Sequence, residues 1–417
     1  MSWPASSREQ ALAAWRGFLP QITRYAAQRN FVDEGLRGVS RLSPALRLGL
    51  LRPEELVRDS LAQHPLQRVE KWVQEVCWRS YWKGWLEMRP QVWRQWRREV
   101  RQLKAELPAE VLERARLVSE GQSGVAIMDH FALELRQSGY LHNHARMWWA
   151  SFWVHAQRLP WALGAEFFFQ HLLDADPASN TLSWRWVAGL QTPGKTYLVR
   201  RSNLERFCDP QLLTRHGRGL AQLDDGQVQP WIAPESADLS RRELPDLPQS
   251  PAQLEGRIGL WLHADDLCLE DGVLAGLKPH SIAAFCSEAV EQDMGLSPQR
   301  IASIKAALQD GLARASAHFP CAGHLHEAGD LAAAMAHWAS RERLSTVLCM
   351  MPNVGPIADA LPRIRQQLDG LGVALHALRR PWDAKLFGHA RAGFFPFWEK
   401  TSRWLAANHP PQQLQLL

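Results

Sequence analysis

In the run WVQEVCWRSYWKGW, residues 72–85, four tryptophans, a glutamate and an arginine recur at three- and four-residue steps: Trp72, Glu75, Trp78, Arg79, Trp82 and Trp85. On an α-helix that spacing puts them along one face. Rings alone would make a core, and a core has no need of Glu75. Two readings stand side by side: a partly buried Glu75–Arg79 pair one turn apart in a tryptophan core, or a face built to hold something other than protein. Two later segments repeat the theme. SGYLHNHARMWWASF brings Asn143, Arg146 and Met147 to one helical face, and HLLDADPASNTLSWRW carries Asp174, Asp176 and Asn180 into Trp184 and Trp186.

Outward from these runs, apolar residues keep helical spacing from Arg8 to about Cys208, without β-branched alternation of period two. Ser43-Pro44 and Arg52-Pro53-Glu54-Glu55 read as helix starts, with proline in the first turn and acids at the positive end of the dipole. From about Leu212 to Leu254 the text turns to Pro, Asp, Gln and Gly, as in RELPDLPQSPAQ, which reads as a linker or extended wrap. Beyond it RIGLWLH, LSTVLCMM and GVALHAL read as three short buried strands. PHSIAAFCSEAVEQD, SPQRIASIKAALQDGLARA and PIADALPRIRQQLDG read as the helices between them. The expected architecture is α plus α/β: an all-helical domain over 1–210, a linker over 211–254, and a smaller parallel-sheet, Rossmann-like α/β domain over 255–417.

Composition narrows the function. At 417 residues the chain exceeds one core of ordinary size, and a 46% hydrophobic, 22% charged balance is globular. No apolar run reaches the ~20 residues of a membrane-spanning helix, and MSWPASSREQALAAW lacks the features of an export signal, so a cytoplasmic chain is expected. Six scattered cysteines form no CxxC pair, which argues against a disulfide framework, zinc ribbon or cysteine-held cluster. His142-x-His144 and His324-x-His326 lack further ligands at useful spacing, so no metal is expected. No GxSxG elbow, Walker loop or GxGxxG occurs. Fourteen of the 20 tryptophans precede residue 210, and residues 1–210 hold 29 Lys and Arg against 21 Asp and Glu. Such a half suits a polyanion with stackable rings, or is an arginine-rich solvated helical surface.

Six collinear blocks give these features a common source: YAAQRNF, GVSRLSP, WVQEVCWRSYW, EGQSGVAIMD, GYLHNHARM, and DADPASN followed by WRW. Together they resemble the flavin-binding helical domain of the DNA photolyase/cryptochrome family over roughly Tyr25–Arg201. The resemblance implies FAD as cofactor. It implies that Tyr25, Arg29, Ser40, Leu42 and Ser43 hold the FAD phosphates and ribityl chain, and that Arg79 lies close to the flavin. Arg146 and Asp174 match an ion pair beside the isoalloxazine, Asp176 a carboxylate near its polar edge, and Asn180 the amide facing N5. Glu75, Trp78, Asn143, Met147 and Trp186 match residues around a flipped cyclobutane pyrimidine dimer. The implied partner is UV-damaged DNA, and the implied chemistry is light-driven repair by electron transfer from reduced flavin. The alternative on the same scaffold is a cryptochrome-like photoreceptor that signals through a protein partner.

The chain departs from the family pattern at telling places. His144 stands where the family usually has arginine. Trp184 and Trp161 match the first two tryptophans of the electron relay, but Val118 holds the third position, leaving Trp153, Trp148 or Trp149 as substitutes. IGLWLHADDLCLEDGVL resembles the start of the family's antenna domain, and GLGVALHAL with ARAGFFPFWEKTSRW resembles its end, yet both follow the helical domain. A permuted antenna domain is expected, its chromophore unknown, with a purely structural α/β cap as the alternative.

Overall fold

Residues 66–87 form a single 22-residue helix, and the rest of the first half follows suit. The computed structural model describes residues 6–191, 196–231, 237–251 and 254–408. Among them α1 (Arg8–Phe18), α2 (Tyr25–Gln28), α3 (Ser43–Arg47), α4 (Pro53–Gln63), α5 (Leu66–Glu87), α6 (Pro90–Glu106), α7 (Ala109–Ser119), α8 (Ala126–Ser138), α9 (Asn143–Ser151), α10 (Trp161–His171), α11 (Pro177–Val187), α12 (Arg201–Phe207) and α13 (Pro210–Arg215) precede the first strand. The expected starts are used: Pro44 opens α3, and Pro53 opens α4 with the Glu55 carboxylate accepting from the Arg52 N–H at 2.6 Å.

The α/β part runs β1 (Ile258–Leu262), β2 (Ser281–Ser287), α14 (Glu288–Met294), α15 (Pro298–His318), β3 (Gly323–Ala328), α16 (Leu331–Arg341), β4 (Thr346–Met350), α17 (Pro356–Asp369), β5 (Ala374–Leu378), α18 (Pro381–Phe387) and α19 (Phe394–Asn408). All five strands are parallel, in the order β3-β2-β1-β4-β5. Trp261, Ala283, Phe285, Val347 and Cys349 point to one face, where Met335 and Trp338 of α16 and Ile364 and Leu368 of α17 close the core. Alternate residues meet α15 on the other face, which the side-chain period of two requires.

Among the described residues five strands replace the three expected. SIAAFCS, read as part of a helix, is β2, because a short apolar run looks alike in either state and its flanks decide. GHLHEA is β3, an edge strand whose polar, half-exposed residues carry no buried-strand signature. In the stretch read as a linker, 211–254, Pro210–Arg215 is helical and Leu220–Leu223 makes a 3₁₀ turn, so only the later part is extended.

The compact units also cut across the division at 210 and 254. One combines the chain up to Thr23, Arg41–Met88 and everything from Arg241; the other combines Arg24–Ser40 with Arg89–Ser240. In the first unit α4, α18 and α19 pack on α5. Gly84 makes this possible, since a Cβ there would lie 2.7 Å from the Phe387 Cα. The segment ARAGFFPFWEKTSRW, expected as the end of the α/β domain, thus lies against the helix that carries Glu75 and Trp78. In the second unit α10 and α11 pack on each other and on α6, with α9 on α11.

Candidate functional site

Within the first unit, α5 presents two stripes. Trp72, Val76, Cys77, Ser80 and Trp85 are buried, with Trp72 stacked on Trp15 at 5.5 Å and its Nε1 donating to Ser60 Oγ at 3.1 Å. Glu75, Trp78, Arg79 and Trp82 form a half-buried stripe beside them. The single face expected from the spacing is therefore two, a core seam and a partly open margin that holds the polar members. Arg79 donates to the Ser43 carbonyl at 3.3 Å, which joins two of the residues expected at the flavin; Leu42, between Ser40 and Ser43, is fully buried. The Trp78 indole lies face to face with Phe394, ring centroids 3.6 Å apart and planes 5° off parallel. Nothing in the sequence signals that contact.

The second unit holds the charge pair. Arg146 and Asp174 make a bidentate bridge at 3.0 and 2.9 Å, while Arg146 Nε donates to the Leu141 carbonyl at 2.7 Å and its guanidinium lies over the Tyr140 ring. Asp174 is nearly inaccessible and Arg146 is 21% exposed. Asp176 caps α11, its Oδ1 accepting from the Ala178 and Ser179 N–H groups. Asn180, one turn on, is buried and donates from Nδ2 to the Ala165 carbonyl at 2.8 Å. Tyr25 and Arg29 flank the single turn of α2, the guanidinium 5.9 Å from the ring centroid, and Ser40 ends the same segment.

Asn143 opens α9, exposed, with Met147 one turn along and Nδ2 4.0 Å from its Sδ. Trp186 is half-buried beside Tyr197 at 5.9 Å. His144 is buried and engaged: it stacks on Trp148 at 4.2 Å, and its ring nitrogens meet the Asn30 carbonyl at 2.8 Å and the Tyr197 hydroxyl at 3.2 Å. It replaces the expected arginine as an internal tie. Burial, with His144 and Arg146 nearby, pushes His142 down to about 4, so its ring is neutral at pH 7. His142 Nδ1 accepts from the His144 N–H, which puts the proton on Nε2.

Trp184 meets Trp149 edge-on at 6.2 Å and Phe168 at 5.0 Å, and Trp149 stacks on Trp153 at 5.2 Å. Of the three substitutes for the relay position taken by buried Val118, Trp149 and Trp153 adjoin Trp184, whereas Trp148 belongs with His144 and Phe131. The Trp161 ring faces the Arg185 guanidinium at 5.7 Å. Gly164 lets these rings meet, since a Cβ there would lie 2.4 Å from the Trp184 ring and 2.9 Å from Trp153 Nε1. Gly164→Ala must displace buried indoles. It should cost about 1–3 kcal/mol in urea unfolding and shift the near-ultraviolet circular dichroism that these rings produce.

The arginine and tryptophan mixture separates on α6. Trp93 and Trp96 are buried, while Arg94, Arg98 and Arg101 face outward. On this helix Arg94, Arg98 and Arg101 are a solvated face, while Arg97 is buried beside the Trp96 ring and the rings are core.

A narrow cleft also opens within the first unit, at the carboxyl ends of β1, β4 and β5, with Arg52, Lys83, Asn353, Arg380 and Asp383 in its wall. Parallel sheets take ligands at this edge, where the strand order reverses. The acids of the turn after β1 are already paired: Asp265 with Arg47 at 2.7 Å, Asp266 with Arg380, and Asp271 with Arg52 at 2.5 Å. Asp383 is pushed up to about 6 by burial, against the pull of Lys83 and Arg380.

The residues of the second unit fit a bound flavin by one test. His142 Nε2, Thr181 Oγ1, Trp149 Nε1 and Trp184 Nε1 are buried without a hydrogen-bond partner. Such orphans are rare in a finished interior, and a ligand rich in acceptors relieves them.

Comparison with known proteins agrees. Residues 72–235 match the FAD binding domain of DNA photolyase. The chain is 35% identical over 205 residues to a deoxyribodipyrimidine photo-lyase of Thermus thermophilus, covering 46% of this chain and 45% of that one. It is 29% identical over 189 residues to the Escherichia coli enzyme of that name, covering 42% and 37%. The chain thus spans less than half the length of these relatives. A class III photolyase structure from Agrobacterium tumefaciens aligns at 22% identity with a TM-score of 0.42, over 54% of this chain and 53% of that one. Residues 72–235 are an FAD-binding domain of the photolyase/cryptochrome family, and FAD is the cofactor of this chain.

Proposed function

We propose that this protein repairs cyclobutane pyrimidine dimers in DNA, using blue light. The observation that carries the reading is the retention of Glu75, Trp78, Asn143, Met147 and Trp186 beside a flavin-domain match. When bound and reduced, FAD supplies the excited-state electron that splits the dimer and recovers it afterwards. The chain's own residues position. The half-buried Trp78 and Trp186 offer indole faces to an extruded, poorly stacked lesion, which costs less to flip than an intact pair. The Glu75 carboxylate accepts from base N–H groups, and the exposed Asn143 amide can both donate and accept at a base edge. Met147, one turn from Asn143, fills apolar space with a polarisable side chain. Toward the cofactor, Tyr25, Arg29, Ser40, Leu42 and Ser43 would hold the phosphates and ribityl chain, with Arg79 near the ring. The Arg146–Asp174 pair, Asp176 and Asn180 set a fixed field beside it.

His144 favours a second reading. Its ring is committed to Asn30, Tyr197 and Trp148, so it does not replace the phosphate contact an arginine would give. A chain with weakened DNA contact and retained flavin suits a photoreceptor.

The test is illumination of the reduced, FAD-loaded protein with an oligonucleotide carrying one cyclobutane dimer, scored against a dark control. Repair over many turnovers in light alone supports the enzyme. No repair with flavin bound and reduced rejects it in favour of the photoreceptor. Glu75→Ala should lower repair about tenfold or more at unchanged flavin content, as expected for loss of a charge-assisted hydrogen bond. Loss of flavin instead would assign Glu75 to the cofactor's support.

A further inference from the structure

The clearest unexplained contact in the first unit is the stack of Phe394 on Trp78, centroids 3.6 Å apart and planes 5° off parallel. Its partners lie more than 300 residues apart in sequence. Phe394 is the first residue of α19 and only 6% exposed. It is held firmly from behind: Trp398 lies parallel to it at 6.5 Å and 8°, Phe397 lies at 5.7 Å, and Tyr81 meets it edge-on at 5.6 Å. The start of α19 and the residues just before it are pinned to α5 by two further bonds. The Tyr81 hydroxyl donates to the Ala392 carbonyl at 2.9 Å, and Trp398 Nε1 donates to Glu70 at 2.9 Å.

Trp78 itself is half-buried. Tyr81 meets it edge-on at 5.4 Å and Trp82 is tilted against it at 5.2 Å. Phe394 is the parallel neighbour that backs a ring face, Tyr81 meets the edge and Trp82 leans against the ring at 37°, and the indole stays partly accessible beyond them. A partly exposed tryptophan without a backing ring samples several rotamers, and each ligand that stacks on it must freeze them at its own cost in affinity. A buried ring in van der Waals contact with the whole indole face leaves the rotamers that would swing the indole through it closed by sterics.

From this geometry we infer that Phe394 is a positioning residue for Trp78: α19 fixes the indole in advance, so that a single face is presented to a base of the lesion. The inference rests on the proposed repair function and extends it, because it makes α19 part of the substrate-binding apparatus. The region after residue 380 is then more than a cap.

The experiment uses the full-length, FAD-loaded protein and three variants: Phe394→Ala, Phe394→Tyr and Trp78→Ala. Dark binding is measured to an oligonucleotide with one cyclobutane thymine dimer and to the same oligonucleotide undamaged, and repair is then followed in light at varied substrate. Phe394→Ala should reduce the preference for the damaged strand about threefold or more. It should raise KM while the repair rate at saturating substrate and the flavin absorbance stay near wild type. Phe394→Tyr keeps the ring and should restore the preference. Trp78→Ala should lose it more fully, and adding Phe394→Ala to it should change nothing further.

Undiminished preference in Phe394→Ala, with preference lost in Trp78→Ala, overturns the inference and leaves the repair reading standing. Equal loss in Phe394→Ala and Phe394→Tyr also overturns it, since a structural defect would not be rescued by a ring. Absence of any preference in the wild type overturns the repair reading and the inference together.

Discussion

Arg146→Ala is expected to lower the unfolding free energy by about 3 kcal/mol and to yield protein that purifies with little flavin. Removing one member of a buried pair strands the other, and the usual loss is about 3–5 kcal/mol. The lower end applies because Arg146 is 21% exposed while Asp174 is almost wholly enclosed. The variant abandons more than a charge: the bidentate bridge, the bond to the Leu141 carbonyl and the contact with the Tyr140 ring go with it. Asp174 is left without its counter-charge in an enclosed site two residues before the Asp176 cap of α11. Urea unfolding and the ratio of flavin to protein absorbance check both parts. The double variant Arg146→Met with Asp174→Leu should recover much of the stability, since replacing a pair by apolar residues removes the stranded charge, but it should not recover the flavin. Recovery of both would mean that the pair serves the fold alone.

Arg380→Ala should be at least as damaging, at about 3–5 kcal/mol, and its effect should appear as loss of the α/β part. One guanidinium closes the turn after β1. It bonds Asp266 at 2.5 and 2.7 Å, the Cys268 carbonyl at 2.7 Å and the Asp271 carbonyl at 2.9 Å. The connection from β1 to β2 contains no helix, so these bonds do the ordering that helix packing does elsewhere. Burial alone would raise Asp266, but the charge and hydrogen bonds of Arg380 override it and hold the carboxyl below the ordinary range. The sign of the pH effect follows. A depressed carboxylate stabilises the fold above its unfolded pKa, about 3.9, and that contribution is lost as pH falls through the folded value. In Arg380→Ala the buried acid is instead raised, so acid relieves it. The gap between wild type and variant should therefore be full at pH 7 and shrink as pH drops through 4. Arg380→Lys should fall between them, because an ammonium cannot make the fork. A gap independent of pH would mean that Asp266 is not the charge being compensated.

Much of the molecule was legible in sequence because its signals are local. Helical spacing, proline at helix starts and the Asp176 cap depend on neighbours within a few residues, and the regular elements of the first half's described residues are helices, apart from the isolated bridge of Val32 with Cys208. The blocks around Glu75, Asn143 and Asp174 identified the flavin domain because short collinear motifs survive where overall identity is low. Illegible elements were those whose character is set from outside. SIAAFCS became a strand because β1 and β3 flank it, and β3 looked polar because it lies at the sheet edge. The ties of His144 to Asn30 and Tyr197 have no mark in the sequence, because Asn30 is 114 residues away and Tyr197 is 53.

Sequence by itself determined the helical first half, the parallel α/β second half, the flavin and the pairing chemistry of Arg146 with Asp174, since each rests on periodicity, spacing or motif. Tertiary structure alone decided that α18 and α19 belong with α5, that Phe394 backs Trp78, and that the turn after β1 is neutralised by Arg47, Arg52 and Arg380. The reason is physical. Dispersion and ion pairing act over a few ångströms of space, whatever the distance along the chain, and three hundred residues of sequence leave no pattern that says which ring will meet which.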